Sequence, residues 1–396
     1  MPKPSSWLPA LLLLLGASAG AAPPPPFVLA QPGDESRITV YSDYLRDREG
    51  DLSLADVRRP EVAQGFRPAG HGLERLGFSG DPWWLRVALR NETGAPRTRH
   101  LVVSTGPVSQ LRLYAPTDAG YQARTPLPAD YDHFLPRDRH VFRLAIPPDT
   151  TRVYYLRAMP DHGFHYSLKL ASEPTQLQGV TLYASAFWLA CGLVMSLALL
   201  HLVLFGMTRA RAYGAYAAFL VLLTLVVMSY SGLLDRPEWL PPGSHGQWSA
   251  FLILLGLATN TGLAYTYLQV PVELPRFDWP LRIAMIALAV MALMVLVWVP
   301  AVPALTLSHI AAAVVALALF WLGIHAWQKN TPGAALFVLA RAGLTLTTLL
   351  VIAALQRWYA LQWNFPLLLL SAGALEGVIL AVGLQRAREA RLREHL

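Results

Sequence analysis

The sequence predicts a membrane α-helical bundle of seven spans, preceded by an all-β domain of the jelly-roll or sandwich type. Seven long apolar runs between residues 179 and 385 predict the bundle, because a helix needs roughly 20 mostly apolar residues to cross the hydrocarbon core. Short alternating apolar runs between residues 27 and 172 predict the β domain. A signal-like stretch at residues 1–22 precedes both. The chain is therefore expected to hold two folded domains.

The seven apolar runs have the length of membrane-spanning helices. They lie at residues 180–206, 212–234, 248–268, 281–299, 304–327, 333–355 and 366–385. Because lipid offers the backbone no hydrogen-bond partners, runs of this length and composition must form helices. The domain at 179–385 is therefore expected to be entirely helical.

Basic residues indicate the orientation of the bundle. They fall in alternate links and after the last span, and they are Arg209, Arg211, Arg276, Arg282, Lys329, Arg386, Arg388, Arg391 and Arg393. The opposite links hold only Arg236 and Arg357. The positive-inside rule then predicts a cytoplasmic C-terminus, and the odd number of spans places the β domain outside.

Composition limits the classes of function. Of the 396 residues, 54% are hydrophobic and 14% are charged, which leaves room for one membrane bundle and one modest soluble domain. Much of the formal net charge of +7 comes from arginines in the links, so no nucleic-acid partner is expected. Cys191 is the only cysteine, which excludes a disulfide framework and a cysteine-based metal site.

Residues 1–22 are typical of a secretory signal peptide. Lys3 precedes a short apolar core that ends at Leu15, and small residues follow at 17–19. The core is too short to span as a mature helix, and the four prolines at 23–26 would stop a helix. Cleavage near Ala22 is expected, and an uncleaved anchor is the alternative.

Turn residues divide the β domain at 27–172 into short strands. The clearest predicted strands lie at residues 84–89, 101–103, 110–114, 140–146, 152–157 and 166–170. Turn-forming residues separate them at 91–94, 115–120 and 147–149. Strands of this number and length favour a two-sheet sandwich of jelly-roll type, because unpaired sheet edges are a liability.

Several stretches of the chain resemble one known family. They are YLRDREGDLSLADV at 44–57, WWLRVALRNETGAPRTRHLVVSTGPVSQLRLYAP at 83–116, HVFRLAIPP at 140–148, VYYLRAMPDHG at 153–163 and SAGALEGVILAVGLQRAREARL at 371–392. In these stretches, and in the number and orientation of its spans, the chain resembles the bacterial seven-transmembrane receptors with diverse intracellular signalling modules (7TMR-DISM). The resemblance covers nearly the whole mature chain.

The resemblance implies a location and a set of partners. Members of the family resemble carbohydrate-binding jelly rolls in their outer domain, and they usually continue inside into a kinase, cyclase or phosphatase. The expected location is therefore the bacterial inner membrane, with membrane lipid and a small-molecule ligand, carbohydrate above all, as partners. The basic exit helix expected at residues 386–396 has no such module after it. Either the chain is a fragment, or it signals to a separate cytoplasmic protein.

No catalytic signature is visible in the sequence. A Walker-type phosphate loop, a His-Glu-x-x-His metal helix and a nucleophile elbow are all missing, so neither an enzyme nor a cofactor is expected. Four histidines, His133, His140, His162 and His165, lie close together in the β domain. Their irregular spacing and thin carboxylate support favour ordinary surface or loop histidines over a metal site.

Aromatic and planar polar residues are the candidates for a sugar site, because rings stack on sugar C–H surfaces and planar groups bond pairs of hydroxyls. The candidates are Trp84, Arg86, Asn91, Asp47, Arg137, Arg139 and Arg157. Trp84 and Arg86 share a strand parity and so point to one face. The alternative, which is favoured, places Trp84 in the core and makes Arg86 a buried partner of Asp47. For the other arginines, solvated surface positions are the favoured alternative.

Four polar residues lie within the predicted spans, where an ionisable group suggests function. They are His201, Asn260, Arg341 and Glu376. Arg341 and Glu376 lie at roughly 12 and 14 Å from the inner end of neighbouring antiparallel helices, at about 1.5 Å per residue. An intramembrane ion pair is therefore predicted, with snorkelling of Arg341 to the interface as the alternative. For His201 and Asn260, a role in holding helices together is favoured.

Three classes of function remain at this point. The favoured one is a sensory receptor that binds a small ligand outside and signals through the bundle. A transporter or polysaccharide-export accessory is disfavoured by the lack of an obvious internal repeat. A membrane enzyme is disfavoured by the lack of paired carboxylates or metal ligands. The exit helix is predicted to continue the seventh span, but Leu392 and Leu396 are too few to establish a coiled-coil dimer, which stays open.

Overall fold

The computed structural model describes residues 24–29, 36–70, 74–77, 80–105, 108–126, 139–160, 164–231, 233–235, 245–355 and 365–394. Several predictions fall outside these residues: the signal peptide at 1–22, the candidates Arg137, His133 and His162, and the links that hold Arg236 and Arg357.

Twelve strands within the described part of the chain form two sheets. The first sheet contains β1 (Phe27–Leu29), β3 (Ser42–Arg46), β4 (Arg67–Pro68), β6 (Trp83–Asn91), β8 (Val108–Thr117), β9 (Gly120–Arg124) and β11 (Thr150–Pro160). The second contains β2 (Ser36–Arg37), β5 (Glu74–Gly77), β7 (Arg97–Thr105), β10 (Arg139–Ile146) and β12 (Phe164–Ala171). All six predicted strands are present, and the predicted sandwich is confirmed.

The strand order shows how the sheets are joined. In the first sheet the order is β4-β3-β6-β11-β8-β9, with β1 pairing in parallel with β6. In the second it is β10-β7-β12-β2, with β5 also pairing with β12. All the other pairings are antiparallel. Strand β9 therefore lies at an edge of the first sheet and β10 at an edge of the second.

Alternation along the strands builds the core between the sheets. Leu85 and Val87 of β6 are buried in the same apolar cluster as Leu101 of β7. Trp84 and Arg86 occupy the intervening positions, so their side chains point to the other face of the first sheet, as their shared parity predicts.

Two short helices cover that other face. They are α1 (Leu54–Val57) and α2 (Pro60–Ala63). Val57 and Phe66 from this segment form a second apolar cluster with Trp84 and Tyr155 of the sheet. The sequence pattern alone did not predict these helices, because four residues are too few to show a helical period.

A capping box fixes the start of α1. The backbone N–H of Ser53 donates to Asp56 Oδ2 at 2.9 Å, and the N–H of Asp56 donates to Ser53 Oγ at 3.3 Å. This reciprocal pair satisfies two N–H groups that have no partner within the helix. Hydrogen bonding to Ser53 also lowers the pKa of the Asp56 carboxyl.

Long helices make up the rest of the described chain. They are α3 (Glu173–Thr208), α4 (Arg211–Tyr230), α5 (His245–Tyr267), α7 (Asp278–Val297), α8 (Ala301–Gln328), α9 (Ala334–Leu355) and α10 (Phe365–Glu394), with the single-turn α6 (Val270–Glu273) between α5 and α7. Among the described residues, seven segments are long and apolar enough to cross a membrane, as predicted. β12 leads into α3 through Ser172 alone, so the sandwich joins the first membrane helix directly.

Close approaches fix the seventh membrane helix, α10, against its neighbours. A Cβ atom at Gly377 would lie 2.9 Å from the ring of Tyr216 on α4. A Cβ atom at Gly383 would overlap the hydroxyl of Tyr267 on α5. These positions need glycine because a tyrosine ring packs where a side chain would otherwise stand.

Candidate functional site

Arg86 is buried in an ion pair, but its partner is not the predicted one. Its Nε donates to Asp43 Oδ2 at 2.7 Å, and both side chains are buried. The guanidinium also lies 4.5 Å from the ring centroid of Phe66. The pairing of Arg86 with Asp47 was therefore wrong, because Asp43 sits directly opposite Arg86 in the β3–β6 register and Asp47 lies four residues further on.

Trp84 is fully buried between the first sheet and the segment that contains α1 and α2, with 0% of its surface exposed. Its ring stacks on Tyr114 with centroids 5.4 Å apart, and Arg157 lies over it at 5.9 Å. Its indole Nε1 has no hydrogen-bond partner among the described residues. The structure therefore places Trp84 where no ligand reaches it without displacement of the covering segment.

Asp47 and Arg157 together hold the turn that leads toward α1. Asp47 accepts hydrogen bonds from the backbone N–H groups of Gly50, at 2.8 Å, and Leu52, at 3.2 Å. Arg157 Nη2 donates to the Gly50 carbonyl oxygen at 2.8 Å and lies 3.8 Å from Asp47 Oδ2. Gly50 has a positive φ of 77°, which favours glycine. These two candidates are thus engaged within the protein.

Asn91 is buried, and its side chain forms hydrogen bonds with two turns. Its amide nitrogen lies 3.0 Å from the carbonyl oxygens of Ala95 and Ile146, and its oxygen accepts from the Thr93 N–H at 3.0 Å. The side chain therefore ties the β6–β7 turn to the end of β10. With its polar atoms bonded in this way, Asn91 has little capacity left for a ligand.

The remaining candidates of the β domain are scattered. Arg139 begins β10, at the position opposite Ser104 of β7. His140 follows it on the same strand, and His165 lies on β12. Among the described residues, no group of three or more His, Cys, Asp or Glu side chains could hold a metal ion.

Arg341 and Glu376 are brought together inside the membrane bundle. Arg341 Nε lies 3.1 Å from Glu376 Oε1, with side-chain exposures of 2% and 0%. The contact is a charge pair rather than an aligned hydrogen bond, since neither Nε nor Oε1 has a hydrogen-bond partner among the described residues. Burial of Arg341 contradicts the snorkelling alternative. The depth argument thus led to the right pair of side chains.

Aromatic side chains surround this pair. Arg341 lies 5.1 Å from the ring centroid of Phe337, one turn earlier on α9. The Tyr216 hydroxyl of α4 donates to the carbonyl oxygen of Gly373 on α10 at 2.8 Å, one turn before Glu376. His201 of α3 lies 4.7 Å from Tyr216, centroid to centroid. Helices α3, α4, α9 and α10 therefore contribute to one buried site.

His201 and Asn260 do not hydrogen-bond between helices in the described structure. The Nδ1–H of His201 donates to the Leu197 carbonyl oxygen of its own helix at 2.8 Å. His201 Nε2 and Asn260 Oδ1 have no hydrogen-bond partner among the described residues. His201 instead contacts α4 through ring packing on Tyr213 and Tyr216, in agreement with the predicted role in holding helices together.

Two sets of polar residues were missed at the sequence level. The Tyr230 hydroxyl lies 2.5 Å from His309 Nε2, which links α4 to α8. Arg124 and Arg143 line a cavity at the edge of the sandwich, together with Thr98. The sequence could have revealed only His309, because it is an ionisable residue within a predicted span. The two arginines have 18 residues between them and come together only in the folded domain.

The architecture defines the class of protein. A β-sandwich that passes directly into seven helices able to span a membrane is a receptor-like architecture. A family model described as 7TMR-DISM extracellular 2 matches residues 39–172, and one described as 7TM diverse intracellular signalling matches residues 183–386. The second match spans more than half of the chain. The protein therefore belongs to the 7TMR-DISM family, with an extracellular N-terminal domain in a multi-pass membrane protein.

No curated protein matches the chain.

Proposed function

We propose that the chain is a sensory receptor of the bacterial inner membrane. Its outer sandwich binds a small ligand, a carbohydrate or another cell-envelope metabolite. The bundle then transmits a conformational change through α10 to a cytoplasmic output module or a separate signalling protein. A chain of this family and architecture suits that role better than transport or catalysis.

One observation carries the proposal: α10 runs without a break from Phe365 to Glu394. Its membrane part holds Glu376 in the buried charge pair, and its end carries the arginines of the exit segment, defined here as residues 386–394. A helix transmits rotation or translation along its axis because every backbone hydrogen bond is internal. Motion at Glu376 would therefore reach the exit segment.

The orientation in this proposal rests on charge. The arginines at 386, 388, 391 and 393 favour the anionic cytoplasmic leaflet and complement the negative end of the helix dipole. A single cysteine introduced by Ala390→Cys in a Cys191→Ala background tests it in intact spheroplasts. A membrane-impermeant thiol reagent should label it only after permeabilisation. Labelling in intact spheroplasts would show that the C-terminus lies outside and would contradict the proposed orientation.

Signal transmission needs its own test. The full-length chain in nanodiscs carries an environment-sensitive dye at Ala390→Cys, and a matched control carries it at Lys329→Cys in the α8–α9 link. A panel of envelope sugars and sugar acids is added, and binding is followed in parallel by calorimetry. A bound ligand should shift the emission at 390 more than at 329. A ligand that binds while the emission at 390 stays unchanged contradicts the receptor proposal.

A further inference from the structure

A cavity of about 270 Å³ lies at the edge of the sandwich where β9 and β10 meet. Its lining residues are Thr98, Arg124, Thr125, Phe142, Arg143 and Ala145. They come from both sheets, so the cavity exists only because the two sheet edges face each other. None of the residues that the sequence singled out for ligand binding lines it.

The two arginines of this cavity differ from the arginines of the domain that pair with carboxylates. Arg86 and Arg152 pair with carboxylates, at 2.7 and 3.4 Å respectively. Arg124 instead reaches only the carbonyl oxygen of Arg143 and the Gln122 side chain, both at 3.4 Å. Arg143 is exposed, and no carboxylate among the described residues pairs with either cavity arginine. Since each guanidinium has five N–H donors, both retain capacity for an anion.

The rest of the lining is suited to a small hydroxylated molecule. Phe142 is only 1% exposed and belongs to the buried core of the sandwich, so the accessible apolar part of the lining comes from Ala145. Thr98 lies opposite Ala145 in the β7–β10 register, and Thr98 and Thr125 are exposed. A concave surface with a few convergent polar groups is typical of a ligand site, and the volume is close to the lower end of the roughly 300–1,000 Å³ range. The cavity therefore fits a monosaccharide better than a longer chain.

We propose that this cavity is the ligand site of the outer domain and that its ligand is a small hydroxylated carboxylate, such as a sugar acid. The inference rests on the proposed receptor function and adds to it the site and the charge of the ligand. A carboxylate can accept two parallel N–H bonds from one guanidinium, which a neutral hydroxyl cannot do. The hydroxyls of the ligand would bond the two threonines, and its apolar face would rest on Ala145.

Calorimetry on the full-length protein in nanodiscs tests the site. The probes are glucuronate and its neutral counterpart glucose, and the variants are Arg124→Gln and Arg143→Gln. Arg112→Gln is the matched control, because Arg112 is exposed on β8 and does not line the cavity. Loss of a charged hydrogen bond corresponds to about tenfold or more in affinity. Glucuronate should bind at least about tenfold more weakly to each cavity variant and unchanged to the control, and glucose should bind at least about tenfold more weakly than glucuronate.

Several outcomes would overturn the proposal. Equal binding of glucuronate to the wild type and to both cavity variants would show that the ligand site is not this cavity. Equal binding of glucose and glucuronate would remove the requirement for an anion. No binding of glucuronate at millimolar concentration would reject this ligand class. In each case the receptor function stands or falls separately, on whether the dye at position 390 responds to whichever panel molecule binds.

Discussion

At the scale of single residues, the arginines fall into two groups. Some are paired with a carboxylate inside the protein, and others could still bind a ligand. Arg86 and Arg341 are both buried against a carboxylate and an aromatic ring. Arg124 and Arg143 are exposed and lack a carboxylate partner within the described part of the chain. Removing a buried arginine leaves an uncompensated carboxylate, whereas removing an exposed one usually changes stability little. The two groups therefore predict different mutant behaviour.

Replacing Arg86 or Asp43 with alanine should destabilise the sandwich by about 3–5 kcal/mol each, because the remaining charge stays buried without its partner. The double variant should lose much less than the sum of the two single losses. Unfolding of the full-length protein, followed by β-sheet circular dichroism, provides the measurement. Asp47→Ala with Arg86→Ala is the control pair, and its losses should add within about 0.5 kcal/mol. Additivity for Arg86 and Asp43 would show that they do not interact.

Tyr154 should make the sandwich sensitive to alkali. Burial raises the pKa of its hydroxyl to about 12, against the nearby charges of Arg152 and Arg124, which lower it. The folded state thus favours the protonated form, so this stability is complete below pH 10 and is lost as the pH rises from 10 towards 12. A shift of this size corresponds to about 2–3 kcal/mol. Tyr154→Phe should reduce the fall in melting temperature above pH 10, and an unchanged pH dependence would contradict this account.

At the scale of elements, the glycines of α10 set its packing. Gly383→Ala should destabilise the bundle by about 1–3 kcal/mol, because the new methyl group would overlap the Tyr267 hydroxyl. Gly343→Ala on α9 is the matched control, since nothing lies within 4 Å of its Cβ position. Melting in detergent measures both. Equal melting temperatures for the two variants would mean that α10 does not approach α5 this closely.

Helices α9 and α10 should be coupled through Arg341 and Glu376. A lone charge at this depth costs about 2.5–3.5 kcal/mol even on the insertion scale, so each single alanine variant should melt well below the wild type. The double variant should melt higher than additivity predicts, because it leaves no unpaired charge. Thermal melting of the four proteins in detergent gives the coupling free energy. A coupling within error of zero would mean that the pair does not interact.

The elements also show what sequence can and cannot predict. Apolar run length identified all seven membrane segments, and alternation identified six strands and the shared face of Trp84 and Arg86. Depth along neighbouring helices was enough to match Arg341 with Glu376, because helix geometry is regular. The Asp43 pairing and the covering helices α1 and α2 were missed, since they depend on strand register and on short local structure. The cavity at Arg124 and Arg143 depends on how two sheet edges meet, which no local pattern encodes.

At the scale of the whole molecule, the sandwich with the proposed ligand cavity is connected to the helices that hold the buried charge pair. The sandwich holds the proposed ligand cavity and ends at β12, which leads through one residue into α3. His201 on α3 packs against Tyr216, which bonds α10 one turn before Glu376. A contact path therefore runs from the first membrane helix to the last one. Such a path carries a signal when its contacts have two alternative arrangements that both sites bias.

The most direct test of signal transmission through α10 concerns the exit segment. Single cysteines are placed at each position from 386 to 394 in a Cys191→Ala background, and the nanodisc-embedded chains are labelled with a water-soluble maleimide. Wild type and Glu376→Gln are compared, since the substitution removes the charge of the carboxylate while keeping its size. The account predicts labelling with a period of about 3.6 residues in both, and a different set of protected positions in Glu376→Gln. The absence of helical periodicity, or identical patterns in the two proteins, would contradict transmission through α10.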